Sequence, residues 1–239
     1  MRKNQRMNIA VLPEGTEDDV KRLPGVDLFL FRHGYTRYNQ EKRYQGRTDL
    51  PLTAEEMERI TPYQFESVSG TGNTLVPEKG SVHDPEAGCI PETGKVPETV
   101  YVSPALRARQ TADLLFPGMP QAVVPGFREM DFGVFEGRSA EEMAEDPQYR
   151  SWVDSLCEDP VPGGESLQEF ISRVAQQFES LAARVMEEGR DRLLIVAHGG
   201  TQMAVMSRFG RTKRPYWSWQ SAPGDALRAR VICSAGQEI

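Results

Sequence analysis

The chain has 239 residues, of which 38% are hydrophobic and 26% charged, with a net charge of -7 and a pI of about 5.2. That length suits one large α/β domain or two small ones, and no composition break divides it, so a single domain is expected. The acidic balance excludes nonspecific nucleic-acid binding, and no apolar run approaches the length needed to cross a membrane.

Cys89, Cys157 and Cys233 are scattered and odd in number. They read as reduced thiols of a cytoplasmic protein, and no pair has metal-ligand spacing. Arg2, Lys3 and Arg6 have no apolar stretch behind them, so no signal peptide is expected.

Residues 1–25 precede the first strong apolar run. Met7 to Leu12 could form a short strand or a packed arm, ended by Pro13 and Gly15. The expectation is an N-terminal extension lying on the surface, with the domain proper over 26–239.

Leu28-Phe29-Leu30-Phe31 stops abruptly at Arg32-His33-Gly34. An apolar run of this kind reads as a strand buried on both faces, over about 26–32. Two cationic groups at a buried strand end need an anion, and Gly34 lets backbone approach a ligand closely. Residues 44–52 read as a loop, and Thr53 with Glu56 as a capping box starting a helix over about 54–60.

Residues 66–98 alternate glycines and prolines with few apolar residues. Such a segment cannot bury a core and reads as a long loop excursion, with a flap over the active site as its functional alternative. His83 and Cys89 within it read as incidental surface residues.

Thr99 to Val102 is the next strand. Ser103 reads as an N-cap and Pro104 as the first helical residue of a helix reaching Pro117-Gly118. Arg107 falls in its first turn, where a cation opposes the helix dipole unless an anion binds there. A short strand at Val123-Val124 follows.

Glu129 and Glu136 then sit among aromatic and apolar residues, surroundings that raise a carboxyl pKa and suit a general acid. Glu129 is the candidate, and Glu136 reads as its support. Ser139 with Glu142 predicts a short helix, and another runs from about 147 to 156; together they form a small cap. Ser166 with Glu169 caps the longest helix, to about 187, whose apolar face includes Phe170, Val174, Phe178 and Leu181.

Leu193 to Ala197 is a strand ending at His198-Gly199-Gly200, which opens another helix. Residues 214–224 form an aromatic loop, and 227–233 alternate as in a half-exposed edge strand. If the strands that end near His33, Ser103 and His198 are parallel, their ends share one edge of the sheet, where open α/β sheets bind ligands. Arg32, His33, Arg107 and His198 would converge there on an anion such as phosphate. The expected fold is an α/β three-layer sandwich with a mostly parallel central sheet, one antiparallel edge strand and a small helical cap.

These residues together resemble the histidine phosphatase superfamily, which includes the cofactor-dependent phosphoglycerate mutases. Arg32-His33-Gly34-x-Thr36-x-x-Asn39 resembles its opening motif, and Gln45-Gly46-x-x-Asp49-x-Pro51-Leu52-Thr53 continues it. Ser103-Pro104-x-x-Arg107-Ala108-x-Gln110-Thr111-Ala112 resembles the second block, Glu129-x-x-Phe132-Gly133-x-x-Glu136-Gly137 the third, and His198-Gly199 the last. Pro162 to Leu167 is most similar to the α-ribazole phosphatases of cobalamin synthesis and broad-specificity relatives. The N-terminal arm and residues 66–98 depart from the pattern.

The resemblance implies a phosphomonoesterase acting on a small phosphorylated metabolite through a phosphohistidine. It casts His33 as nucleophile and Glu129 as acid and base. Arg32, Arg107 and His198 neutralise the phosphoryl group, and Asn39, Gln45, Gly46 and Gly199 assist in binding. No metal and no cofactor is implied. α-Ribazole 5′-phosphate is the first expected substrate; a phosphoglycerate mutase or a broad sugar-phosphate or nucleotide phosphatase is the alternative. A metal hydrolase using His33, His198 and Glu129 is a rival that Arg32 and Arg107 argue against. A non-catalytic scaffold is another, opposed by the full set of groups. A homodimer is left open.

Overall fold

The computed structural model describes residues 9–13, 24–63 and 97–233. Nearly all of the excursion at 66–98, with His83 and Cys89, lies outside them. Six strands form one sheet: β1 (Ile9–Pro13), β2 (Gly25–Arg32), β3 (Val100–Val102), β4 (Gln121–Val123), β5 (Arg192–Ala197) and β6 (Ala226–Cys233). Their spatial order is β1-β6-β2-β5-β3-β4. The pairings β2·β5, β5·β3 and β3·β4 are parallel, and those of β6 with β2 and β1 are antiparallel.

Side chains on the central strands alternate between two apolar layers, as the period of a strand requires. Leu28, Leu30, Leu193 and Ile195 join the larger cluster, with Phe170, Val174 and Phe178 of α5 (Leu167–Glu187) and Ala204 and Val205 of α6 (Gly199–Phe209). Phe29, Phe31, Val100, Val102, Leu194 and Val196 face the other way, onto Ala108, Ala112 and Leu115 of α3 (Leu106–Leu115). Helices therefore cover both faces of the sheet, as the sequence predicts. Ser166 and Glu169 form the expected reciprocal capping box at the start of α5. At about 1.5–3 kcal/mol for each large apolar side chain taken out of water, the α5 stripe contributes heavily to holding the layers together.

Four local expectations change. Residues 9–13 are not a surface arm: β1 is a paired edge strand with Val11 and Leu12 buried, so the sheet begins before residue 26. Strand β6 is consequently one place in from the edge, covered by β1. Ser139 and Glu142 exchange both capping hydrogen bonds, yet a turn follows instead of a helix. The cap's helix is α4 (Pro147–Asp154), which starts from the Asp146 side chain. Finally, Ser103 does not cap α3. That helix starts after Ala105, and the carboxylate of Asp49 supplies the missing cap by accepting the Leu106 N–H at 2.7 Å.

The cap is joined to the rest by rings. Tyr44, Phe132, Phe135, Tyr149 and Trp152 pack edge to face, and the Tyr44 and Tyr149 hydroxyls are 2.9 Å apart. Such pairs add about 0.5–1.5 kcal/mol each beyond their burial. Among the described residues no helix is long and apolar enough to cross a membrane.

Candidate active site

Sheet register brings the two histidines together. Arg32 is opposite Ala197 in the parallel β2·β5 pair, so the next residue of each strand, His33 and His198, leaves the sheet side by side. Their rings meet edge to face with centroids 5.1 Å apart. Val102 is opposite Val196, which places Ser103 at the same edge. Its hydroxyl lies 2.7 Å from His198 Nε2. The residue read as a helix cap thus belongs to the site; the signal that could have found it is its position one residue beyond a strand parallel to the one ending at His198.

His33 is buried, and its Nδ1 lies 2.7 Å from the Gly34 carbonyl. Because a carbonyl only accepts, Nδ1 carries the proton and Nε2 keeps its lone pair. Arg107 Nε–H points at that nitrogen from 3.2 Å. Burial and the charges of Arg107 and Arg32 hold the His33 imidazole well below the usual histidine pKa, and burial with Arg107 does the same to His198. Both rings are neutral at ordinary pH.

Arg107 is fully buried. Its Nη1 and Nη2 donate to the carbonyls of Thr48 and Gly46, each at 3.0 Å. Those carbonyls are aimed by Glu136, whose carboxylate accepts from the N–H groups of Gly46, Arg47 and Thr48 and from the Thr48 hydroxyl. The supporting part expected for Glu136 is therefore specific: it shapes the 46–48 loop that orients Arg107. Gly46 is required there, since a Cβ would stand 1.8 Å from the Met130 carbonyl oxygen.

Arg32 donates to the Ser221 carbonyl, and its Nε is buried with no hydrogen-bond partner among the described residues. Among the described residues neither Arg32 nor Arg107 makes an ion pair, and the Nδ1 of buried His198 has no partner either. Leaving such donors unsatisfied costs several kcal/mol in total unless an anion takes them up.

Glu129 closes the group. Its carboxylate accepts from the Met130 N–H at 3.0 Å and the Gly200 N–H at 3.2 Å. Burial is the largest influence on it and raises its pKa; the hydrogen bonds and the two arginines oppose that rise. A Cβ on Gly200 would reach within 2.1 Å of the Glu129 carboxylate, so glycine is what admits Glu129. Gly199 packs against the Arg32 guanidinium, 3.2 Å from where its own Cβ would be.

The structure thus unites Arg32, His33, Arg107, Glu129, His198 and Gly199. Asn39 and Gln45 are placed differently. Asn39 Oδ1 caps α1 (Arg37–Gln40) by accepting from Thr36, and Gln45 accepts the Thr36 hydroxyl at 2.6 Å and donates to the Thr48 carbonyl. Both stabilise the loops around the site. Ser103, Gly200 and Tyr216, whose hydroxyl reaches the Gly200 carbonyl, were not among the expected site residues. Among the described residues no group of His, Cys, Asp and Glu is placed to hold a metal ion.

The sequence profile of the histidine phosphatase superfamily (branch 1) matches residues 28–61 and 93–231. A protein of Hydrogenobacter thermophilus whose name marks it as a candidate phosphoserine phosphatase is 30% identical over 185 residues, covering 75% of this chain and 76% of its own. A probable phosphoglycerate mutase GpmB of Escherichia coli is 28% identical, covering 73% and 70%. A solved phosphoglycerate mutase of Thermus thermophilus superposes with a TM-score of 0.54 at 29% identity, covering 85% and 92%. The α-ribazole phosphatase of Shigella flexneri shares the fold, with a TM-score of 0.61 at 23% identity over 90% of this chain and all of its own. The converging histidines and arginines lie within the matched segments, and the chain belongs to the histidine phosphatase superfamily.

Proposed function

We propose that the enzyme is a phosphomonoesterase that passes its phosphoryl group through His33. The observation that carries this reading is the Nε2 of His33, fixed as a lone pair by Gly34 and faced by Arg107, with the charge of Arg32 nearby; neither arginine has an ion pair among the described residues. Arg107 Nε–H points at that lone pair. A phosphoryl oxygen gives this donor a better acceptor and frees Nε2 to attack phosphorus. Arg32, Arg107 and His198 then stabilise the charge on the equatorial oxygens. Glu129, whose burial favours the protonated form, gives its proton to the leaving oxygen; as a carboxylate it next takes a proton from the water that releases phosphate. The Asn39 amide is available as a further donor.

Substrate choice is the finer part of the proposal. α-Ribazole 5′-phosphate, in cobalamin synthesis, remains the first substrate to try, on the sequence likeness of residues 162–167. These residues support the site from below: Pro162 O accepts the Val134 N–H, and Glu165 bonds Asp131 N–H and Arg173. Their place favours a role in shaping the Glu129–Glu136 loop over contact with a base. A less selective phosphatase acting on sugar phosphates or nucleotides fits the same geometry. The names of the mutase relatives favour a second reading, transfer between positions of phosphoglycerate. The test supplies 3-phosphoglycerate with 2,3-bisphosphoglycerate, and separately α-ribazole phosphate, sugar phosphates and nucleotides. Free phosphate with little isomerisation is the expected result; rapid isomerisation with little phosphate overturns the phosphatase reading.

A further inference from the structure

The segment that follows α6 is bound to the site at several points. Gly224 N–H donates to the carbonyls of Arg32 and His33 at 3.2 and 3.0 Å, and the Asp225 carbonyl accepts the Arg32 N–H at 2.8 Å. The Ser221 carbonyl receives the Arg32 guanidinium, and the Ser221 hydroxyl donates to Gln202, whose amide is anchored on the Leu30 carbonyl. Tyr216 begins the short 3-10 turn Tyr216–Trp219 of this segment and packs against the main core. Its hydroxyl donates to the Gly200 carbonyl over a long 3.4 Å. The N–H of that same residue is one of the two donors that hold Glu129. Gly200 therefore links the hydroxyl of Tyr216 on one side to the carboxylate of Glu129 on the other.

We propose that Tyr216 is a positioning residue for the proton transfer by Glu129: its hydroxyl holds the carbonyl of Gly200, the residue whose N–H that carboxylate accepts. The inference rests on the phosphohistidine reading above, in which Glu129 protonates the leaving oxygen. Tyr216 stays a donor, since burial and the neighbouring Glu129 charge both raise its phenol pKa. Loosening the turn has two consequences. The acid is less often aligned with the leaving oxygen, and the Gly200 N–H no longer stabilises the carboxylate as well, so the Glu129 pKa rises further. The other groups facing Glu129 are unchanged by the substitution: Arg32 from β2 and Arg107 from α3 keep their charges, and His33 and His198 stay neutral.

The experiment compares Tyr216→Phe and Tyr216→Ala with wild type on two phosphate monoesters. An alkyl ester needs its leaving oxygen protonated; p-nitrophenyl phosphate leaves as a stable phenolate and does not. For Tyr216→Ala, kcat/KM on the alkyl ester should fall about tenfold, a part of the 10²–10⁴ that general acid catalysis supplies. It should change less than about twofold on the aryl ester. Tyr216→Phe keeps the ring and leaves no cavity; it should lose about threefold on the alkyl ester alone. Its alkaline limb on that ester should move upward in pH. Equal losses on both esters, or a Phe variant that matches wild type in rate and pH profile, would overturn the proposal. Failure of the phosphatase reading is separate, because wild type would then hydrolyse neither ester.

Discussion

A guanidinium that is fully buried and, among the described residues, bonded only to two carbonyls and a neutral ring carries a charge without an ion-pair partner among them. That is the condition of Arg107, and phosphate relieves it. Arg107→Ala should therefore lower kcat by about 10²–10³, the range for removing one transition-state donor. Steady-state kinetics on any good substrate checks it, and near-normal turnover would make the residue structural.

The two buried histidines make a second prediction at this scale. Their folded pKa values lie well below the ordinary 6.5. Between those values and about 6.5 the unfolded chain binds protons that the folded chain does not, so stability falls as pH drops through this window. Each histidine contributes a slope of about 1.4 kcal/mol per pH unit. Glu129 acts in the opposite sense: its raised pKa costs stability as pH rises from the ordinary carboxylate range through its folded value. Urea unfolding of the ligand-free enzyme from pH 7 to 5 should show the loss, and His33→Asn should flatten the slope by about one histidine's share. A wild-type stability independent of pH over that range would contradict the burial argument.

Among the elements, loops show where sequence legibility ends. Arg32, His33 and His198 were legible because an apolar run that stops at a charged residue announces a strand end. Arg107 was legible as a cation in a helical first turn. Ser103 was misread because a serine before a proline also suits a helix cap, and only sheet register distinguishes the two uses. Gly200 and Tyr216 could not be found by pattern, since their contacts to Glu129 and to each other depend on distant segments packing together. Asn39 and Gln45 have the chemistry of ligand contacts, yet their nearest demands are the local ones of Thr36 and Thr48.

The 46–48 loop offers an element-scale test. Its backbone is held by Glu136 and packed against Met130 so closely that a methyl group does not fit at Gly46. Gly46→Ala should destabilise the fold by about 1–3 kcal/mol, as overpacking does. Activity should suffer more than stability implies, because the displaced Gly46 carbonyl no longer aims Arg107. Thermal unfolding and kcat measured together check this; an alanine variant with wild-type activity would show that the loop adapts.

At the scale of the whole molecule, the sheet was legible in its centre and at its β4 edge, and not at its β1 edge. The continuous apolar runs of β2 and β5 marked strands buried on both faces. β1 was short, and the sequence around it carries little apolar pattern, so its pairing depends on β6, at the far end of the chain. The difference has a measurable consequence. Leu12 is buried against Ile232, so Leu12→Ala should cost about 2–3 kcal/mol, at the lower end for a buried leucine. A residue on a surface arm would cost less than about 0.5 kcal/mol. Because β1 is separated from the catalytic strand β2 by β6, kcat should be unchanged.

The reading as a whole depends on a covalent bond to one nitrogen. Rapid quenching of the enzyme with a radiolabelled phosphate monoester, followed by peptide mapping under alkaline conditions that preserve phosphohistidine, tests this most directly. The account predicts an acid-labile label on His33, released at the rate of turnover and absent from His33→Asn. Turnover without label on His33, or a label on another residue that forms and decays fast enough to carry the reaction, would contradict it.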